Sequence, residues 1–222
     1  MMKRWLGIAV VLGMTAVSLI VYDALPVRMP THWNIRGEVD GWSPRFWGAF
    51  LMPLLAAGLW LFMPLLRRID RRGRSYERFD TTFWLVINVL MVFLAVIHVL
   101  TLLAALGMNV DVSRTSLVLI GLLFVVFGHQ LPRLEPNWWM GIRTPWTMKS
   151  DRVWRATHRL AGRTFMIGGG IAIVSAALPS GLALPVGMST LAVAALIPIP
   201  YSWAAYRRET GDDAGGRRSG GA

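Results

Sequence analysis

Six apolar runs, each near the length that crosses a bilayer as a helix, constrain this chain of 222 residues more than anything else in it. They extend over Trp5 to about Tyr22, Phe46 to Leu66, Thr82 to about Leu106, Thr115 to about Leu131, near Gly162 to near Pro179, and Pro185 to about Tyr206. No β-barrel alternation is visible in them. Only 16% of the residues are charged, where a soluble domain carries about a quarter. The predicted fold is therefore all-α: a polytopic membrane protein with six transmembrane helices. There is no cysteine, which excludes disulfides, thiol catalysis and thiolate metal sites.

The first run follows a short basic start, Met1 to Arg4, and leaves through YDALPVRMP. That exit holds no small-residue cleavage site, so the run reads as a membrane helix and not as a signal peptide.

The formal charge of +11 looks like a nucleic-acid signal until it is placed along the chain. With six spans, alternate loops face opposite sides. Lys3, Arg4, the six arginines of 67–80, the seven basic residues of 133–163 and the four of 207–218 share one side, which makes 19 of 23. The positive-inside bias puts that side and both termini in the cytoplasm. It explains the basic balance without direct nucleic-acid binding. The other side carries Arg28, Arg36, Arg45 and Arg114 against Asp23, Glu38, Asp40 and Asp111, and is near neutral.

The domain map follows. Residues 1–66 form an N-terminal membrane domain of two helices with a structured outer loop, 23–45. Residues 67–81 are a basic cytoplasmic connector. Residues 82–206 form a four-helix membrane domain with a cytoplasmic arm, 132–162. The tail, 207–222, is Gly-rich and polar, a composition that predicts disorder.

The arm contains NWWMGIRTPWTMKSDRVWRATHRLAGRTF, Asn137 to Phe165. Arg143 sits between Gly141 and Pro145 in a shaped turn, and Pro145 biases Thr144 away from helix. Ser150 is a helix N-cap candidate with Asp151 at the positive end of the dipole. In the helix that follows, Arg152, Arg155, Arg159 and Arg163 fall on one stripe. Val153, Trp154, Thr157, Ala161 and Phe165 fall opposite. Two readings stay open: a helix lying at the lipid headgroups, or a docking surface for a partner protein.

In the outer loop, PTHWNIRGEVDGWSPR, the turn formers Asn34, Gly37, Asp40, Gly41 and Pro44 predict a folded cap. His32, Glu38 and Asp40 match no strong ligand spacing, so a recognition surface is expected there and no metal. Inside the membrane, Asn88 and His98 share a helical stripe with Met91, Ala95 and Leu102. An ionisable group at that depth is a functional candidate; the alternative is a neutral imidazole bonded to a neighbouring helix. Gly168, Gly169 and Gly170 invite close helix approach. No nucleophile motif, phosphate loop or cofactor fingerprint is present, so neither an enzyme nor a cofactor is expected.

The arm closely resembles the signature of the SdpI family of bacterial membrane proteins. Asn137, Gly141, Ile142, Arg143, Thr144, Pro145, Trp146, Thr147, Val153, Trp154, Thr157, His158, Arg159 and Gly162 fall on its pattern. The outer loop PTHWNIRGEVDGW resembles the uncharacterised domain that commonly precedes it. The resemblance implies a multi-pass protein of the bacterial plasma membrane that gives immunity to a secreted toxic peptide. It also implies signalling, by holding a soluble winged-helix repressor at the inner face. Asn137, Gly141, Arg143, Pro145, Trp146, Trp154, His158 and Arg159 would then form the inner partner surface, and His32, Trp33, Asn34, Gly37 and Asp40 the outer one. The expected partners are membrane lipids, the peptide and the repressor. The alternative function is a small-solute or lipid transporter whose pathway passes His98 and Asn88, and a third is a scaffold without ligand.

Overall fold

A computed structural model describes residues 2–73 and 75–219. Met1, Arg74 of the connector and residues 220–222 of the tail lie outside the described residues, as do the side chains of residues 2–4, 180 and 212–219. Among the described residues the regular elements are helices and one two-stranded sheet, joined by loops. The chain's elements are α1 (Met2–Val21), β1 (Arg28–Trp33), β2 (Val39–Pro44), α2 (Arg45–Ile69), α3 (Ser75–Arg78), α4 (Asp80–Ala105), α5 (Val112–Gln130), α6 (Pro145–Lys149), α7 (Asp151–Ser175), α8 (Ser180–Leu196) and α9 (Pro198–Ser219). The last helix runs to Ser219, into the segment whose composition predicts disorder.

Among the described residues, five stretches are long and apolar enough to cross a membrane: Trp5–Ala24, Arg45–Ile69, Asp80–Ala105, Val112–Arg133 and Gly181–Gly211. The protein is a multi-pass membrane protein. The expected fifth span is absent from that set for a physical reason. It is the second half of α7, whose first half carries Arg152, Arg155, Arg159 and Arg163. That leaves an apolar stretch too short to qualify on its own.

Two bundles share the fold. In one, α1, α2 and α4 pack together; in the other, α5, α7 and α8 do, with α4 against α5 joining them. The second depends on glycine. Gly121 faces Gly169 and Gly128 faces Gly162, each pair so close that a Cβ on one residue would sit 2.5–2.8 Å from the other's carbonyl oxygen. Gly168 approaches α8 instead, with Ala194 against it. A stripe of small residues lets membrane helices meet backbone to backbone.

Proline creates a second kind of junction. Pro53 has no N–H, so the carbonyl of Ala49 loses its helical donor, which is costly in hydrocarbon. The Ser18 hydroxyl of α1 donates to that carbonyl at 2.6 Å. Pro198 likewise frees the carbonyl of Ala194, and Thr164 of α7 donates to it at 3.0 Å. Ser18 Oγ also lies 2.9 Å from His98 Nε2. Its one hydrogen goes to Ala49, so His98 must donate through Nε2–H. Ser18→Ala removes both of these bonds. It is expected to cost about 1–2 kcal/mol, read as a lower melting midpoint in detergent, with Ser18→Thr keeping most of the stability.

Helix α4 measures the distance between the two informative stretches. Leu102 packs with Leu25, Met29 and Ala49 beneath the β1–β2 hairpin. Phe83 packs with Tyr76, Leu134, Met140 and Trp154 beneath the arm. At 1.5 Å per residue the two clusters are about 28 Å apart, close to the thickness of a hydrocarbon core. Hairpin and arm therefore occupy opposite ends of the molecule.

Candidate functional site

At one end the outer loop folds as an antiparallel hairpin, β1 on β2. Its turn is built around Asn34. The Asn34 side-chain oxygen accepts from the backbone N–H of Arg36 and of Glu38, at 2.8 and 3.1 Å, and its amide donates to the Glu38 carboxylate at 2.9 Å. Gly37 takes a φ of +83°, which a side chain would resist. The Asn34 bond and the neighbouring Arg36 guanidinium hold the Glu38 carboxyl below its ordinary pKa. Across the strands His32 Nδ1 meets Asp40 Oδ1 at 2.5 Å. Glu38 thus belongs to the turn and Asp40 to His32, so the three do not gather around one point. Met29, wholly buried, anchors the hairpin to α2 against Gly48.

Beneath the hairpin lies a cavity of about 310 Å³, walled by α2, α4, α5 and α8. His32, Trp33 and Asn34 line it from above; Met52, Thr101 and Leu117 are among its walls. Gly37 sits over Ser113, whose buried Oγ has no hydrogen-bond partner and borders the same space. This is an apolar chamber with a few polar groups near its roof, the usual make-up of a small-ligand site. Three of the five expected outer residues face it. Gly37 and Asp40 do not line it; Gly37 lies against Ser113 and Asp40 pairs with His32.

At the other end the arm is locked from within. Asn137 is fully buried: its oxygen accepts from the N–H of Trp139 and Met140, and its amide donates to the carbonyls of Glu135 and Met140. Trp154, also fully buried, donates its indole N–H to the Leu134 carbonyl at 2.7 Å. His158 stacks on Trp154, ring centroids 4.1 Å apart, and its Nε2 accepts from the Ile142 N–H at 3.0 Å. Its Nδ1 contacts the Trp154 carbonyl at 2.9 Å, so the proton sits on Nδ1. Burial pushes the His158 pKa down to about 4. Gly141, at φ +100°, lies so close that a Cβ would collide with His158 Nε2. Thr144 caps α6 in a reciprocal box with Thr147, Pro145 starts that helix, and Ser150 caps α7.

The remaining inner candidates face outward. Arg143 is exposed and donates to the Trp138 carbonyl; Pro145 and Arg159 are exposed and Trp146 is half-buried. The reading of α7 as a helix resting on lipid does not fit its packing. Val153, Trp154, Thr157 and Ala161 are buried within the protein, Trp154 and Ala161 in the core that includes Leu134, Met140 and Ile142 of the loop, and α7 runs unbroken into the bundle.

Sequence reasoning missed Asp70 and Tyr76. The Asp70 carboxylate, 8% exposed, accepts from the N–H of Arg72 and Trp138 and from the Tyr76 hydroxyl. Burial, then the Asp70 hydrogen bond, push the Tyr76 phenol above its ordinary pKa, so it stays a donor. The one signal in the sequence was a lone acid inside RRIDRRGR.

The two intramembrane candidates part company. His98 is buried at the junction of α1, α2 and α4. Asn88 borders a groove with Leu6, Leu85, Val89 and Val92. Among the described residues His98 lines neither this groove nor the roofed cavity.

With this geometry in place, the comparisons divide along it. Residues 133–202, the arm through the start of α9, match the SdpI/YfhL protein family. Residues 9–57, from α1 through the hairpin into α2, match a domain of unknown function, DUF1648. The chain is 25% identical over 174 residues to Immunity protein SdpI of Bacillus subtilis (strain 168), covering 78% of this chain and 81% of that one. No solved structure matches. Asp70 and Tyr76, which brace the arm, lie between the two matched stretches.

Proposed function

We propose that the protein sits in a bacterial plasma membrane and gives its cell tolerance to a secreted, membrane-active peptide. The hairpin faces outward in this reading, and the cavity it roofs receives an apolar part of the peptide. The cavity carries the proposal, because His32, Trp33 and Asn34 meet there over an otherwise apolar chamber. The name of the relative, an immunity protein, agrees with it. The uneven distribution of basic residues supports the orientation.

The arm is the inner output surface. It offers Trp138, Trp139, Arg143, Pro145 and Arg159 to a soluble winged-helix repressor, while Asn137, Trp154 and His158 hold those groups in place from inside. In a deletion strain challenged with candidate peptides, the wild-type gene is expected to restore growth. Trp33→Ala is expected to remove most of that protection at an unchanged membrane level. Arg143→Ala is expected to leave insertion and tolerance intact and to abolish repressor recruitment to membranes. Protection that survives Trp33→Ala unaltered would separate the cavity from immunity.

A further inference from the structure

A third cavity, of about 510 Å³, opens at the arm end between the last turns of α2 and the start of α4. We propose that it holds the headgroup and upper acyl chain of an anionic phospholipid. Its polarity changes in one direction. Trp60, Leu61, Leu65 and Trp84 form the walls, and Arg67, Arg68 and Asp80 the rim. Along α2 that passage from apolar to cationic takes about 12 Å at helical rise, comparable to the step from acyl chain to phosphate at a bilayer surface. Tryptophans are the usual residues at that depth.

The charges at the rim are unequal in their commitments. Arg67 is ion-paired with Asp80, and its guanidinium lies over the rings of Tyr76 and Phe83 at 5.6 and 5.3 Å. Arg68 beside it is exposed and makes no hydrogen bond or ion pair among the described residues. Among the described rim residues Arg67 is committed to Asp80, and Arg68 is the charge that an anion would meet. The walls are continuous with surface that a bilayer would cover: Leu61 is 60% and Phe62 56% exposed. The apolar part of the ligand therefore arrives from the membrane, which selects a lipid over a soluble anion. The assignment is independent of the immunity reading.

The test uses the full chain purified in neutral detergent and native mass spectrometry with phosphatidylglycerol and phosphatidylcholine of matched acyl chains. Phosphatidylglycerol is expected to be retained about fivefold better, the worth of one arginine beside an anionic headgroup. Arg68→Gln should bring the ratio near one. Arg155→Gln, an exposed arginine on α7, should leave it unchanged, and glycerol 3-phosphate should not displace the lipid. Equal retention of both lipids by the wild type would overturn the proposal, however the variant folds. So would a ratio that Arg68→Gln does not move, one that Arg155→Gln lowers equally, or displacement by glycerol 3-phosphate alone.

Discussion

Gly162→Leu is expected to dismantle the α5–α7 contact, at a cost of about 3 kcal/mol or more. A Cβ at Gly162 would stand 2.7 Å from the Gly128 carbonyl oxygen and 2.9 Å from Pro132 Cγ. These are backbone and ring atoms, which cannot rotate aside as a flexible side chain would. Seven residues further along α7, Gly169 repeats the contact against Gly121. Separating the helices at one pair would therefore loosen both. The control is internal: Gly170 meets nothing within 4 Å of its notional Cβ. There, Gly170→Ala should be neutral or stabilising, since glycine costs about 1 kcal/mol in a helix. Melting midpoints in detergent and steady-state membrane levels read both. Equal midpoints for Gly162→Leu and Gly170→Leu would mean that the bundle does not depend on these pairs.

How far the sequence displayed this fold depended on whether each cause was local. The long apolar helices, the turn around Asn34 and Gly37, the Ser150 cap and the extended Thr144 all follow from residues within a few positions of each other. The close approach at Gly168 and Gly169 was also legible, because only small residues permit it, whereas Gly170, read the same way, meets no neighbouring helix. What stayed hidden was pairing through space. Ser18 caps a carbonyl released by Pro53, and Thr164 one released by Pro198. No spacing rule links such partners. The arm shows the same limit. Asn, Trp, His and Arg are the residues of recognition surfaces and equally of buried polar locks. Only the fold distinguishes His158, which accepts from Ile142, from Arg143, which points outward. The buried stripe of α7 continues from Trp154 through His158, Ala161, Gly168 and Ala172 to Ser175. That continuity was present in the sequence, but the arginine stripe, which ends at Arg163, suggested a boundary that the backbone does not have.

Acid is expected to open the arm. His158 is held neutral, with Nδ1–H toward the Trp154 carbonyl and the Nε2 lone pair on the Ile142 N–H. A second proton would set Nε2–H against that N–H. Burial adds to the resistance and brings the pKa down to about 4, against about 6.5 in an unfolded chain. Between those values the unfolded state binds the proton and the folded state does not, so stability rises with pH in that window. The contribution of His158 is complete above about pH 6.5 and is lost as pH falls toward 4. It totals about 3 kcal/mol and changes little below that, where both states are protonated. His158→Gln removes the titration while leaving an oxygen able to accept from Ile142. The variant's melting midpoint should therefore fall less than the wild type's between pH 7.5 and pH 4.5. The difference between the two profiles isolates this residue from His32, His98 and His129, which both proteins share. Because the Ile142 bond ties the loop of Trp138, Trp139 and Arg143 to α7, its loss should appear first as proteolytic cutting within 134–144. Parallel pH profiles for wild type and variant would show that the imidazole does not hold the arm closed.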